Sequence, residues 1–199
     1  MARDSHATRA RILEAAFDEF ARYGIAGARV DRIADAAGAN KRMIYVYYGN
    51  KEQLFDQVLQ EALEKGAESV PFDAEDLPGY AGAIFDHLVA DPRLVRLVMW
   101  RRLERPAVTA PESASYGHKL AALEAAQGAG LVDPGYAPAD VLALVLALAQ
   151  AWFTTGIGAA EGDGEADWVR EHRDRHRAAV VGAVARLSGT PAPGAAPSA

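Results

Sequence analysis

Residues 8–54 read TRARILEAAFDEFARYGIAGARVDRIADAAGANKRMIYVYYGNKEQL, and this stretch decides the fold. Apolar residues recur in it at the three- and four-residue spacing of amphipathic helices. The first helix has an apolar face made of Ile12, Leu13, Ala16, Phe17, Phe20 and Ala21. Gly24 is suited to end that helix, because glycine takes the left-handed conformation of a C-terminal cap at no steric cost. Two short helices are predicted next, over 30–37 and 41–47, joined by a turn at Gly38.

Two asparagines predict where the next helices begin. Asn40 can cap the helix over 41–47. Asn50 can cap a fourth helix, with Gln53 completing a capping box. That helix is expected to bury Leu54, Phe55, Val58, Leu59 and Ala62. Two short helices on either side of a tight turn have the spacing of a helix-turn-helix, whose second helix enters a major groove of DNA.

The rest of the chain also has a helical pattern. Helices are predicted over 75–90, 92–105, 112–128, 138–160 and 165–188, with Asp91 capping the second of them and Pro92 in its first turn. No useful stretch alternates with the period of a strand, so an all-α fold of about nine helices is expected. The tail, residues 189–199, is rich in Pro, Gly and Ala and is expected to be disordered.

Composition places the chain among globular proteins. Half of its 199 residues are hydrophobic and 24% are charged. It has no cysteine, which excludes disulfides, thiolate metal sites and a cysteine nucleophile. Residues 1–51 carry nine Lys and Arg against six Asp and Glu, whereas residues 52–199 carry twelve against twenty-one. A basic head on an acidic body fits polyanion binding by the head.

The second short helix has side chains suited to DNA. Asn40, Lys41 and Arg42 lie at its N-terminus, and Tyr45 and Tyr47 follow. Lysine and tyrosine donate hydrogen bonds to phosphates, and arginine can donate two to a guanine. An ordinary helical hairpin with an aromatic cluster has the same spacing, so spacing alone leaves both interpretations open.

The order of several motifs resembles the N-terminal DNA-binding domain of TetR-family transcriptional regulators. The shared features are Gly24, Ile33-Ala34, Ala37-Gly38, the aromatic-rich segment 44–48 and Asn50-Lys51-Glu52. The resemblance covers about a quarter of the chain, from Thr8 to Leu54. It implies DNA contacts from Arg29, Asn40, Lys41, Arg42, Met43, Tyr45, Tyr47 and Lys51, with Lys41, Arg42 and Met43 at exposed positions of the recognition helix. Tyr48 matches an aromatic residue that packs inside.

Three positions depart from the family pattern. Ala28-Arg29 stands where the family often has a Thr or Ser that caps the second helix, so the cap is lost or shifted to a neighbour such as Asp31. Arg42 stands where glycine is frequent, and Tyr47 where histidine is frequent. An arginine at that place adds a candidate base-reading side chain.

The acidic body is expected to bind an effector. The resemblance implies repression controlled by a ligand bound between its helices, with the helix that begins at Lys51 as the connecting element. Large apolar residues of the middle helices are the pocket candidates, and any one of them can instead be ordinary core: Phe85, Leu88, Met99, Trp100, Leu103, Tyr116, Trp152 and Phe153. As a set they favour an apolar or aromatic ligand, to which His87 and His118 can add polar contacts.

The last two helices are expected to form a dimer, because the family's last two helices build a four-helix bundle between two subunits. The interface candidates are Leu144, Leu148, Trp168, Val180, Val184 and Leu187. Residues 141–160 carry no charge, which suits either a membrane span or a buried helix. The resemblance and the polar and glycine residues of the stretch favour the buried helix.

Sites of other kinds find little support. His172 and His176 share one helix face, but four arginines surround them, so a solvated face is expected and not a metal site. No P-loop, nucleophile elbow or dinucleotide motif is present, so no catalytic residue, cofactor or metal is predicted.

The resulting hypothesis is a cytoplasmic, homodimeric repressor that a small molecule releases from a palindromic DNA operator. Its domains are predicted as 1–51 for DNA binding, 52–188 for effector binding and dimerisation, and 189–199 as the tail. The alternatives are a helical-bundle ligand-binding protein or enzyme that has lost DNA binding, and a regulator anchored in a membrane.

Overall fold

The computed structural model describes residues 2–107, 110–155 and 166–189. Over these ranges the chain forms nine α-helices and no strand, which confirms the all-α prediction. The helices are α1 (Ala2–Gly27), α2 (Val30–Ala37), α3 (Lys41–Tyr48), α4 (Lys51–Ser69), α5 (Leu77–Ala90), α6 (Arg93–Glu104), α7 (Ala110–Gly128), α8 (Pro138–Thr154) and α9 (Ala166–Ser188). The end predicted for α8 and the predicted tail beyond Gly189 lie outside the described residues.

The chain divides into two compact units. The first consists of Met1–Glu68 and Asp91–Ala107, so it holds α6 in addition to α1–α4. The second consists of Ser69–Ala90 and Val108–Ala199, with α5, α7, α8 and α9. These units describe how the chain packs, whereas the predicted boundary at residue 51 divides it by function and stays a prediction.

The first unit has a core made by one face of each of its helices. Ile12 and Phe20 of α1, Ile33 of α2, and Leu54 and Phe55 of α4 are fully buried there. The rings of Phe20 and Phe55 meet edge to face, with centroids 5.2 Å apart. Burying one such ring contributes about 1.5–3 kcal/mol, so this core holds the short helices α2 and α3, which are too short to be stable alone.

A kink in α1 is built together with α6. Gly24 has φ 68°, and the helix continues past it to Gly27. The carboxylate of Glu104, at the end of α6, accepts hydrogen bonds from the backbone N–H groups of Ile25 (2.8 Å) and Ala26 (3.1 Å). Glu104 therefore caps the turn that restarts after the kink. The positive φ expected at Gly24 is present, but it kinks α1 there and does not end the helix as predicted.

Arg93 fastens the start of α6 to the middle of α1. Its guanidinium lies 2.8 Å from a carboxylate oxygen of Glu14 and 2.6 Å from one of Asp18. It also pairs with Asp91 and lies over the ring of Phe17, 4.6 Å from its centroid. Three carboxylates hold this side chain in one place and raise the pKa of Arg93 further above its usual range.

The second unit has its own core between α5, α7, α8 and α9. Its buried residues include Leu77, Leu123, Val141, Val145 and Val184. An exposed ion pair also joins α9 to α5: Arg177 donates to both carboxylate oxygens of Asp86, at 2.7 to 2.9 Å. Helices α5 and α9 therefore pack side by side along apolar contacts, with this ion pair at their surface.

The predicted caps are mostly present. Asn40 accepts a hydrogen bond from the N–H of Arg42 at 2.8 Å. Asn50 and Gln53 exchange two hydrogen bonds, at 2.8 and 3.1 Å, which is the predicted capping box. Asp91 accepts from the N–H of Arg93 at 3.1 Å, but Pro92, predicted in the first turn of this helix, stands just before it at the N-cap position.

Candidate nucleic-acid interface

The turn between α2 and α3 fixes the geometry of the site. Gly38 has φ 58° and ψ 40°, the left-handed conformation expected from the sequence. Its N–H donates to the carbonyl of Asp35 at 3.2 Å, and the N–H of Ala39 donates to that of Ala34 at 2.9 Å. Since nothing lies within 4 Å of a Cβ built at Gly38, glycine is needed there for the backbone angle and not for space.

The outward face of α3 is a stripe of three exposed side chains, Arg42, Tyr45 and Val46. They are three and four residues apart, so they lie on one side of the helix. The opposite side carries Ile44, which is 2% exposed and packs in the first core. Helix α3 therefore keeps one face in the protein and presents the other to a partner.

The side chains at the start of α3 differ in their freedom. Lys41 lies 2.8 Å from a carboxylate oxygen of Asp31, and this pair raises the pKa of Lys41. Among the described residues the guanidinium of Arg42 has no such partner, so it can reach an external acceptor without breaking an ion pair. Met43, expected at an exposed position, is half-buried, because its side of the helix turns toward the protein.

The two tyrosines at the end of α3 have different environments. The guanidinium of Arg9 lies 4.7 Å from the centroid of the half-buried Tyr47 ring. Tyr48 donates from its hydroxyl to the carbonyl of Arg9 at 3.2 Å, and burial raises the pKa of Tyr48 to about 12. Tyr48 thus ties α3 to α1, which agrees with the structural role implied by the resemblance.

Lys51, the first residue of α4, reaches the backbone at the end of α1 with its side chain. Its ammonium donates to the carbonyl of Ala28 at 3.2 Å and to that of Ala26 at 3.5 Å. Carbonyls at the end of a helix attract cations, so this contact stabilises the junction of α1 and α4. The predicted phosphate contact by Lys51 stays a prediction, and the structure adds this second task.

The start of α2 is capped from a distance. Arg29 makes no side-chain cap, and Asp31 pairs with Lys41 instead of capping, so the shift of the cap to Asp31 is wrong. The carboxylate of Glu19 accepts from the N–H of Arg29 at 2.8 Å and from Arg32 Nε at 2.8 Å. Glu19 is 8% exposed, and it could not be found from local sequence because it lies ten residues before the group it caps.

Val46 is an exposed residue of the candidate interface that the sequence analysis did not name. It is 73% exposed at the centre of the outward stripe. Sequence reasoning treats valine as a core residue, and only the orientation of α3 shows that this one points outward. An exposed apolar side chain on such a helix can contact the methyl group of a thymine.

The predicted pocket residues fall in both compact units. Phe85, Leu88 and Trp152 are buried in the second unit, where Phe153 is half-buried and Tyr116 is 37% exposed. The three candidates on α6 belong to the first unit: Trp100 is half-buried, while Met99 and Leu103 are exposed. Within the second unit the rings of Phe85 and Phe153 lie 5.9 Å apart.

His176 lies with these aromatic residues, which corrects the expectation of a solvated face. Its ring centroid is 5.1 Å from that of Trp152 and 5.7 Å from that of Phe85. Its Nε2 is buried without a hydrogen-bond partner in the part of the chain that is described, and burial lowers the pKa of His176. The surrounding arginines hid this position, because the charge pattern shows a polar face and does not reveal that His176 packs against aromatic rings. His87 is half-buried and His118 is exposed.

The predicted interface residues also differ in accessibility. Leu144 is 41% exposed, whereas Leu148 and Leu187 are half-buried against the second core. Val180 and Val184 are buried inside the chain's own core and leave almost no side-chain surface for a partner. The side chain of Trp168 lies outside the description. Among the five candidates whose side chains are described, Leu144 is therefore the most accessible.

Comparison with known proteins decides the family. The sequence model described as bacterial regulatory proteins of the tetR family matches residues 12–58, and that of the tetracyclin repressor-like C-terminal domain matches residues 76–186. The chain belongs to the TetR family. Members of this family are transcriptional regulators that bind DNA, so this chain is a DNA-binding regulator and not an enzyme.

Individual TetR-family proteins support this membership. The chain is 45% identical to the HTH-type transcriptional repressor SCO4008 of Streptomyces coelicolor over 152 residues, 74% of this chain and 79% of that protein. Its structure resembles that of the transcriptional regulator SCO4942 of the same species, with a TM-score of 0.79, 41% identity and coverage of 92% and 99% of the two chains. A TetR-family structure from Marinobacter aquaeolei shares the fold at 19% identity, with a TM-score of 0.68 over 89% of this chain and 97% of that one. No helix in the described ranges is long and apolar enough to cross a membrane.

Proposed function

We propose that this TetR-family protein is a homodimeric repressor that binds a palindromic operator in the cytoplasm and is released from it by a small molecule. The outward face of α3, with Arg42, Tyr45 and Val46, is the observation that carries the proposal. These three side chains offer a bidentate donor, a hydroxyl and an apolar contact on one side of a helix.

The residues around α3 are assigned to two tasks. Arg42 and Val46 read base edges, because they project from the helix and Arg42 has no carboxylate partner in the described structure. Arg29, Lys41, Tyr45, Tyr47 and Lys51 bind the phosphate backbone, while Asn40 holds the start of the helix and Met43 supports it from its inner side. We assign Arg9, which is exposed next to Tyr47, to phosphate binding as well.

A second copy of the chain supplies the recognition helix for the other half of the operator. One recognition helix contacts few bases, and two of them read half-sites about 34–36 Å apart. We place the functional boundary near residue 51, with α8 and α9 supplying the dimer contact. Effector binding in the body then lowers operator affinity if it favours a conformation with a different spacing between the two heads.

Fluorescence anisotropy tests this function. The full chain is titrated onto labelled duplexes from the DNA flanking its own gene and onto scrambled duplexes, at two salt concentrations. Tight binding to one duplex by two chains is the expected result. Equal, weak and steeply salt-dependent binding to every duplex, followed by failed selection from random duplexes, would contradict a sequence-specific repressor.

Variants divide base reading from phosphate binding. Arg42→Ala is expected to weaken the binding free energy for the preferred operator by about 1–3 kcal/mol and to relax the sequence preference at one base pair. Tyr45→Phe is expected to weaken binding to all duplexes alike. Arg102→Ala, which removes an exposed arginine of α6, is the matched control and should leave the base preference unchanged. An unchanged preference in Arg42→Ala would remove that residue from base reading.

A further inference from the structure

Lys119 of α7 is a half-buried cation without a carboxylate partner in the described chain. Its ammonium donates a hydrogen bond to the hydroxyl oxygen of Tyr80 at 3.3 Å. Burial lowers the pKa of Lys119, since an ammonium loses hydration there and gains no opposite charge. The chain thus retains a charged group where a neutral side chain would be less costly.

The hydroxyl of Tyr80 adds a second donor at the same point. Tyr80 is 7% exposed, and burial raises its pKa, so the phenol keeps its proton at neutral pH. Its oxygen accepts from Lys119, and its hydrogen has no acceptor among the residues described. Two donor groups therefore lie 3.3 Å apart, and within the described ranges no acceptor takes the hydrogen of the phenol.

Two aromatic rings lie next to the ammonium of Lys119. The ring of Phe72 meets that of Tyr80 edge to face, with centroids 5.0 Å apart. The ammonium of Lys119 lies 5.9 Å from both centroids. Tyr116 precedes Lys119 by three residues on α7, which places both on one helix face, and it is 37% exposed. The donors are thus bordered by apolar surface that a ring can cover.

We propose that Lys119 and Tyr80 bind the carboxylate of an aromatic acid, whose ring lies against Phe72 and Tyr116, and that this acid is the effector. The inference rests on the proposed function and names the chemical class of the ligand. A carboxylate carries two acceptor oxygens on one carbon, so it can accept from two neighbouring donors at once. One oxygen accepts from the ammonium and the other from the phenol, and the negative charge compensates Lys119.

Calorimetry on the full chain without DNA tests the site. The probes are benzoate, phenylacetate and 3-phenylpropionate, each compared with its neutral amide. The best acid is expected to bind at least tenfold more tightly than its amide, because a charge-assisted hydrogen bond and the ion pair are lost together. Equal binding of acid and amide, or no binding of any acid at millimolar concentrations, would overturn the proposal.

Three variants locate the binding. Lys119→Met should abolish the preference for the acid, and Tyr80→Phe should weaken acid binding about tenfold while leaving amide binding unchanged. Glu124→Gln, which removes the charge of an exposed side chain on α7, is the control. If circular dichroism shows that Lys119→Met does not fold, the test of the site rests on Tyr80→Phe, because this variant keeps the buried ring. An unchanged acid preference in Tyr80→Phe would then overturn the site.

Operator binding is measured separately, so that the two proposals can fail independently. The bound acid is expected to lower operator affinity of the wild-type chain and not of Lys119→Met. Acid binding at Lys119 with unchanged operator affinity would overturn the effector role. Acid binding by a chain that selects no DNA would contradict the proposed function and leave the carboxylate site standing.

Discussion

Glu19 shows how one residue can replace a missing local cap. The family pattern often has a Thr or Ser before α2, and this chain has Arg29, whose side chain cannot accept a hydrogen bond from the helix. The nearly buried carboxylate of Glu19 accepts from the N–H of Arg29 and pairs with Arg32. A single acidic side chain of α1 therefore orients the first helix of the helix-turn-helix.

We predict that Glu19→Ala destabilises the protein by about 1–3 kcal/mol, because the N–H of Arg29 loses its acceptor and α2 loses its cap. Urea denaturation of the full chain measures the change. Glu124→Ala, at an exposed position of α7, serves as the control and should change stability by less than about 0.5 kcal/mol. Equal stability of the two variants would show that Glu19 does not cap α2.

We predict that the stability of the folded chain depends on pH through His176. Burial lowers its pKa from the ordinary value of 6.5, so the unfolded chain takes up this proton at a higher pH than the folded one. The stability associated with neutral His176 is therefore complete above about pH 6.5 and is lost as the pH falls below that value.

The corresponding measurement is the melting temperature between pH 7.5 and pH 5.5, read for wild type and His176→Phe. We expect the wild-type melting temperature to fall more than that of the variant, which has no proton to take up at this position. His118→Gln, which alters an exposed histidine, is expected to follow wild type. Parallel curves for wild type and His176→Phe would contradict the burial of a neutral imidazole.

At the scale of helices, α6 packs with the DNA-binding helices although the sequence places it after α5. Glu104 caps the restarted turn of α1, and Arg93 binds Glu14 and Asp18 at the other end of α6. These contacts hold α6 along α1 at both ends of α6. A change in the position of α6 would therefore act on the helix that supports α2 and α3.

A substitution at Gly24 tests the packing of α6 against α1. A Cβ at this position would lie 2.6 Å from Glu104 Oε1 and 2.8 Å from a ring carbon of Trp100, and the φ of 68° disfavours any other residue. We predict that Gly24→Ala lowers stability by about 2 kcal/mol or more and weakens operator binding.

Gly117→Ala is the matched control for Gly24→Ala. Gly117 lies inside α7 with nothing within 4 Å of a built Cβ, so alanine is expected to raise stability by up to about 1 kcal/mol. Chemical denaturation of both variants gives the comparison. A harmless Gly24→Ala would mean that the kink and its contacts with α6 can relax without cost.

At the scale of the whole molecule, the proposed dimer makes Leu144 a test position. It lies on α8 and is 41% exposed, in a stretch of the helix that carries no charge. We predict that Leu144→Glu weakens self-association, because a dimer contact would bury the new carboxylate without a partner. Sedimentation equilibrium measures it, and Ala121→Glu on the exposed side of α7 is the control. A stable dimer in Leu144→Glu would move the interface away from this residue.

Much of the fold could be predicted, because its signals are local. Helical periodicity, Gly38, Asn40 and the Asn50–Gln53 capping box each act within a few residues of the chain, so sequence spacing alone locates α2, α3 and the start of α4. The order of motifs over residues 8–54 also indicated the family, since it prescribes side chains at fixed separations. These are the features that the amino-acid sequence determined by itself.

Other features depended on tertiary structure, because they join residues that are distant in sequence. Glu19 caps α2 from ten residues away, and Glu104 caps α1 from the end of α6. Val46 and His176 carry the same signals as many other residues of their types, and only the packing of α3 and α9 turns the first outward and the second inward. The pairing of Lys119 with Tyr80 likewise required the fold to bring one side chain of α7 to one of α5, since burial and hydrogen bonding are decided by three-dimensional neighbours and not by spacing along the chain.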